Sequence, residues 1–196
     1  MTTKDFSKNS RFPGTTTSPF DTLVRLGNAV ERLPMPAFAA LLFLLALMPT
    51  RVDLPNAMVL WLFFLGDWLL LSFLPRAGKS YGPAKPPTLL LAIGRLLPAA
   101  LPLPWNLLAQ FIGTALVVYG FWIEPHRITV TRQSLRSAKL KNNAPPLRVL
   151  HLGDLHVERI TDREKQMVDL TKSLKPDVIL FSGDFLNLSN IHDPIA

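Results

Sequence analysis

The chain has 196 residues, no cysteine and a formal net charge of +7, which excludes disulfides, thiolate metal sites and cysteine nucleophiles. The charge is split: residues 1–150 carry 16 Lys and Arg against 6 Asp and Glu, whereas residues 151–196 carry 5 against 8. The basic residues flank apolar segments and form no stripe interleaved with stacking aromatics, a membrane pattern that argues against nucleic acid as a partner.

Residues 1–35 are mostly polar and read as a cytoplasmic N-terminal segment. Four apolar stretches follow, at 36–48, 57–74, 88–104 and 105–123. A helix crossing a bilayer needs about 20 apolar residues, with a lower limit near 17. The second and fourth stretches meet this. The first is short, and the third contains Arg95 and three prolines. Loop charges nevertheless favour four crossings. With four, the basic N-terminal segment, the 75–87 loop (Arg76, Lys79, Lys85) and the basic run after Ile123 all fall on one side. The positive-inside rule places that side in the cytoplasm. The expectation is an all-α transmembrane bundle of about four helices, in a multi-pass membrane protein with a cytoplasmic C-terminal domain. Trp61, Trp68, Trp105, Tyr119 and Trp122 fit headgroup-level positions near helix ends. The string "AGKS" at 77–80 ends like a phosphate-binding loop, but the glycine such a loop needs is replaced by Phe73.

Two charges lie inside the apolar stretches. Asp67 is seven residues before the end of the second stretch at Leu74, and Arg95 is seven residues after the start of the third at Thr88. In an antiparallel hairpin both sit about 10 Å deep at 1.5 Å per residue. Charges inside a membrane pair with one another or face a polar cavity, so an Asp67–Arg95 ion pair is expected.

Residues 124–146 read as a short strand, from the alternation around Ile128 and Val130, and then a proline-ended linker. A new unit begins at 147. "LRVLHL" is a strand; "TDREKQMVDLTKSLK" opens with a Thr161–Glu164 capping box and reads as a helix, with Ile160, Met167, Leu170 and Leu174 on one face; Pro176 stops it; "DVILFS" is a second strand. Strand, helix and strand in about 35 residues make one βαβ unit with parallel strands.

Each strand ends on a carboxylate, in "GDLH" at 153–156 and "GDFLN" at 183–187. Residues two apart in a strand point to the same side, so Asp154 and His156 can aim at one ion while Leu155 and Val157 face the other way. Asp184 lies at the carboxyl end of the neighbouring strand, about 4.8 Å away. Ligand sites of open α/β sheets lie at those ends. Two carboxylates and one imidazole suit a divalent transition metal such as Mn, Fe or Zn. Gly183 gives room for close approach. His151 faces the other way and reads as a packed strand residue.

The pairing of D-x-H with G-D-x-x-N, each at the end of one strand of a βαβ unit, resembles the calcineurin-like metallophosphoesterase superfamily, and the string behind several membrane spans resembles its membrane-anchored bacterial branch. The resemblance covers about 50 C-terminal residues. It implies an α/β sandwich and two divalent metal ions that activate water for attack on a phosphoester. It assigns Asp154 and His156 to the first ion, Asp184 to a bridge between both, and Asn187 to a supporting position beside the ligands. It names no other catalytic residue. The substrate would be a phosphomonoester or phosphodiester, of a lipid or a nucleotide, and the lipid bilayer the other partner. The family's Gly-Asn-His block and later histidines have no counterpart here; "NIHDPIA" at 190–196 lacks the preceding Gly-Asn. The 147–196 unit therefore reads as the start of an incomplete phosphoesterase domain, expected not to hydrolyse phosphoesters by itself. The alternative is a non-enzymatic small membrane protein whose βαβ tail is a docking module.

Overall fold

The computed structural model describes residues 19–51, 53–79, 82–137, 139, 145–157 and 159–184. These form two compact units, one of residues up to 72 with 83–117, the other of 73–82 with 118 onward.

Proline and glycine punctuate the helices of the first unit and the turns that extend them at 73–78 and 118–126. Helix α1 runs Pro19–Glu31 and α2 Met35–Leu47. Pro36 sits in the first turn of α2, where its missing N–H costs nothing, and Pro49 prevents continuation. The hydroxyl of Thr50 donates to the carbonyls of Ala46 and Leu47 (3.1 and 3.2 Å), satisfying acceptors that a helix end leaves open. Helix α3 runs Leu54–Phe73 and tightens into a 3-10 turn, Leu74–Ala77. Gly78, in the left-handed region at φ 68°, ends that turn, so the glycine of "AGKS" is a helix cap. Helix α4 runs Lys85–Ala99, with Pro86 and Pro87 in its first turn. Helix α5 runs Leu103–Val117 and continues through a π segment, Val118–Ile123, and a 3-10 turn, Glu124–His126.

The core of this unit is a seam of large and small residues. Phe38, Leu42 and Ala46 of α2 meet Ala57, Leu60 and Phe64 of α3 and Ala92 and Ala99 of α4. The alanines allow close helix approach, which matters most where apolar burial gives no driving force between helices. Trp61 donates from Nε1 to the Ala39 carbonyl at 2.9 Å, and the Trp68 ring packs edge-on against Phe38. Both tryptophans are thus partly buried against α2. The outward faces remain apolar: Leu44, Leu62, Leu69, Leu90, Leu97 and Leu116 are all more than half exposed. So continuous an apolar exterior is unfavourable in water.

Among the described residues, two helices are long and apolar enough to cross a membrane, Leu54–Ala77 and Leu103–His126, each of 24 residues. At 1.5 Å per residue they reach about 36 Å, beyond the roughly 30 Å hydrocarbon thickness. The first and third apolar stretches fall short. Helix α2 has 13 residues and α4 has 15, or about 20 and 22 Å. The third stretch is cut at Ala99 because Pro102 follows, and α4 instead gains its first turn from Lys85 to Pro87. Helices α1 and α2 are long and apolar enough to cross only as a pair, and that pair is bent by 110° at its break. Helix α1 itself lies in the segment 1–35, expected to be a mostly polar, cytoplasmic N-terminal segment.

In the second unit, residues 127–137 form no strand. The alternation around Ile128 and Val130 produces extended chain only, because no described strand pairs with it. The βαβ reading agrees with the structure: β1 (Val149–Leu152), α6 (Asp162–Leu174) and β2 (Val178–Phe181) follow in order, and the strands pair in parallel, Val149 opposite Val178 and Leu152 opposite Phe181. Thr161 and Glu164 form the capping box, and Lys175, left-handed at φ 46°, ends α6 before Pro176. Ile160 precedes the helix and is half exposed, so it does not share the face of Met167, Leu170 and Leu174. The four residues of β2 are all exposed.

Candidate metal centre and buried ion pair

Strand β1 ends at Leu152, two residues before Asp154. The expected strand alternation through His156 is therefore corrected. What brings the side chains together is a laced pair of strand ends. Ser182 donates its N–H to the Leu152 carbonyl (3.0 Å), Asp154 to Gly183 (3.2 Å) and His156 to Asp184 (2.9 Å). Asp154, His156 and Asp184 each hold a left-handed backbone, at φ 58°, 44° and 52°. Asp and His tolerate that region better than most residues, yet each still costs about 1 kcal/mol or more. Three such residues in one cluster mark a site where geometry outweighs local stability.

The result is one potential ligand group: one donor atom each from Asp154, His156 and Asp184, all within 4.8 Å of one another. Nε2 of His156 lies 2.8 Å from Oδ1 of Asp154. Metal–ligand bonds of about 2.0–2.2 Å place the ligand atoms of one ion about 3–4 Å apart, so the set fits a single transition-metal ion with little movement. The side chains are open to solvent, 82 % exposed for Asp154 and 55 % for His156. His151 lies in β1 outside this group, but it is exposed, not packed as expected. Asn187, His192 and Asp193 lie outside the described residues.

Both glycines beside the carboxylates have a physical reason. Gly183 has φ 106° with open space where a side chain would begin, so a conformational need for glycine is met there. A Cβ on Gly153 would fall 2.0 Å from Oγ of Ser182. Gly153→Ala should therefore push the two strand ends apart and weaken metal binding at least tenfold. Adding Ser182→Ala should recover most of the loss, as read by calorimetric titration with Mn²⁺.

Sequence reasoning missed Arg163. Its guanidinium donates to the Leu155 carbonyl, between the two ligands, at 3.2 Å, and to Oε1 of Glu164 at 2.7 Å. Glu164 also accepts from the Thr161 N–H at 2.8 Å and from its hydroxyl. The capping box thus orients the arginine that braces the ligand loop. Burial pushes the Glu164 carboxyl up, but the Thr161 hydrogen bonds and Arg163 together outweigh it and hold the carboxyl below its usual range. The sign follows. This stabilisation is fully present above the unfolded-chain value of about 4.3 and is lost as pH falls through the lowered folded value. An arginine inside the capping box, next to Glu164, was the available signal.

In the helical unit, Asp67 and Arg95 meet as a two-pronged pair: Nε to Oδ2 at 2.7 Å and Nη2 to Oδ1 at 2.8 Å. The remaining donors are taken by α5. Nη2 reaches Oγ1 of Thr114 at 3.0 Å, and Nη1 reaches the Gln110 carbonyl and Oε1 at 2.8 and 3.1 Å. A guanidinium has five N–H donors, and these five contacts use them all. Asp67 is 2 % exposed, Arg95 6 % and Gln110 1 %. A Cβ on Gly113 would lie 2.8 Å from Nη1 of Arg95, so the glycine makes room for the guanidinium. Gln110 and Thr114 were not singled out from sequence; polar residues four apart on an apolar helix, with a glycine between them, were the signal.

The chain matches no protein-family model, and no curated protein or solved structure is significantly similar to it.

Proposed function

We propose that the protein is a membrane-anchored, metal-dependent phosphoesterase, hydrolysing a phosphomonoester or phosphodiester of a lipid or nucleotide. The observation that carries this reading is the ligand group of Asp154, His156 and Asp184 at the carboxyl ends of two parallel strands, each residue on a strained left-handed backbone. The motif pattern "GDLH…GDFLN" adds its resemblance to the calcineurin-like metallophosphoesterases. Asp154 and His156 would hold one divalent ion, and Asp184 would reach it from the facing strand end and extend to a second. Bound there, Mn, Fe or Zn would supply Lewis-acid polarisation of a phosphoryl oxygen and a water made nucleophilic at neutral pH. The chain's own contribution is orientation. Backbone pairing fixes the strand ends, Arg163 braces the loop at Leu155, and the open face of the carboxylates admits a phosphate.

The membrane reading is multi-pass, in a bacterial plasma membrane. Either two crossings, Leu54–Ala77 and Leu103–His126, or four put the N-terminal segment and the residues after His126 on one side. Residues 127–148 carry six Lys and Arg and no acid, so that side is cytoplasmic by the positive-inside rule. The metal-binding unit then works at the inner membrane face.

The test is hydrolysis of bis(p-nitrophenyl) phosphate by the protein expressed from its complete reading frame, in detergent with Mn²⁺. Turnover should vanish with a chelator and fall at least a hundredfold in Asp184→Asn. Turnover indifferent to both would rule out a metal site at these residues. Metal binding without any turnover would favour the docking-module alternative.

A further inference from the structure

The chain that leaves the fourth apolar stretch lines a cleft of about 550 Å³ in the second unit. Its walls are the extended run 130–133, residues 147–150 where β1 opens, and the end of α6 with Pro176. The volume falls within the roughly 300–1,000 Å³ of small-molecule sites. This cleft is separate from the metal centre. Arg148 stands just before β1, whereas Asp154, His156 and Asp184 follow the opposite, carboxyl ends of the strands.

Two chemistries meet in the cleft. Val130, Leu150 and Leu174 supply an apolar wall, and Arg132 and Arg148 supply two positive charges, with no acidic residue in the lining. The carboxylate of Asp177, the residue after Pro176, is taken by the backbone N–H of Arg148 at 2.8 Å. Both arginines are exposed, and among the described residues neither guanidinium has a hydrogen-bond or ion-pair partner. A guanidinium offers a planar fork that fits phosphate oxygens in pairs. Two free forks beside an apolar wall suit a ligand with a phosphate head and an apolar body. A nucleotide gains much of its affinity from stacking on aromatic rings, and no aromatic residue lines this cleft.

The tether of the chain selects the source of such a ligand. Val130 lies four residues beyond His126, the end of a helix long and apolar enough to cross a membrane. Four extended residues reach at most about 14 Å, so one wall of the cleft is held near the bilayer surface. The six Lys and Arg of residues 127–148, with no acid among them, form the kind of basic run that draws anionic lipid to a cytoplasmic membrane face.

We propose that this cleft binds an anionic phospholipid of the adjoining leaflet, its phosphate on Arg132 and Arg148 and its glycerol and first acyl carbons against Val130, Leu150 and Leu174. The bound lipid ties the metal-binding unit to the bilayer at a point beyond the end of the last crossing. The inference rests on the reading of the chain as a membrane protein, and the test separates the two.

The full chain in dodecyl maltoside is titrated with water-soluble dioctanoyl phosphatidylglycerol, and bound lipid is counted by native mass spectrometry. Dioctanoyl phosphatidylcholine, inorganic phosphate and a hexaglutamate peptide are titrated in parallel. Arg132→Gln with Arg148→Gln removes the two cleft charges; Arg136→Gln with Lys139→Gln removes two charges outside it. The expected result is one saturable phosphatidylglycerol per chain, bound about tenfold more weakly in the first double variant and unchanged in the second. Phosphatidylcholine and inorganic phosphate should bind at least about tenfold more weakly than phosphatidylglycerol. Equal weakening in both double variants would show diffuse charge attraction and overturn the proposal. So would inorganic phosphate that binds as well as the lipid, which marks a site for free phosphate, or a peptide that binds more tightly, which marks a polypeptide dock. Absence of phosphatidylglycerol binding by a chain that needs detergent would overturn it while leaving the membrane reading intact. A chain that stays monodisperse in water without detergent would overturn both.

Discussion

Asp67→Ala and Arg95→Ala should each reduce the protein level in membranes severely. Each leaves one fully buried charge with its partner gone, a change that costs about 3–5 kcal/mol, comparable to the whole stability of many domains. The double alanine variant should recover much of the loss, because it removes both charges together. The reversed pair, Asp67→Arg with Arg95→Asp, should not recover. A simple pair would tolerate reversal, but Arg95 also donates to the Gln110 carbonyl and to Thr114. A carboxylate at position 95 would face those oxygens without a donor to give. Quantitative blotting of membrane fractions separates the outcomes. If the double variant is as poor as the two single losses combined, the residues do not act as a pair; if the reversed pair recovers, the contacts to α5 carry no weight.

This network also shows what could be read from the sequence. Equal depths along an antiparallel hairpin were enough to expect Asp67 opposite Arg95. The third helix was not, because nothing in a list of apolar residues says that Gln110 and Thr114 face α4. The βαβ unit was legible from β-branched strands, the Thr161–Glu164 capping box and Pro176, all local signals. The strand around Ile128 was misread because alternation alone cannot supply a pairing neighbour. Helix lengths were misjudged for the same kind of reason. Hydropathy counts apolar residues, whereas Pro49 and Pro102 decide where α2 and α4 stop.

The metal ligands were legible as residue types at strand ends, but not the way they converge. Strand alternation extrapolated past Leu152 places Asp154 and His156 on one side of a regular strand. Instead both adopt left-handed backbone, and their N–H groups bond across to Gly183 and Asp184. Dihedral angles of that kind leave no mark in hydrophobic periodicity. Nor does Arg163, whose role depends on a bond to the Leu155 carbonyl eight residues earlier.

Those ligands carry the second large effect. Three side-chain donors open to solvent leave an ion mostly hydrated, so affinity should be modest, and the loss of any one donor should matter strongly. The direct measurement is calorimetric titration of the purified chain with Mn²⁺ at neutral pH, beside Asp154→Asn, His156→Ala and Asp184→Asn, with His151→Ala as control. The expected result is one binding event in the unaltered chain, weakened at least tenfold in each of the three variants and unchanged in the control. Binding that persists undiminished through all three substitutions, or no binding at all in the unaltered chain, would contradict the metal centre and with it the proposed phosphoesterase.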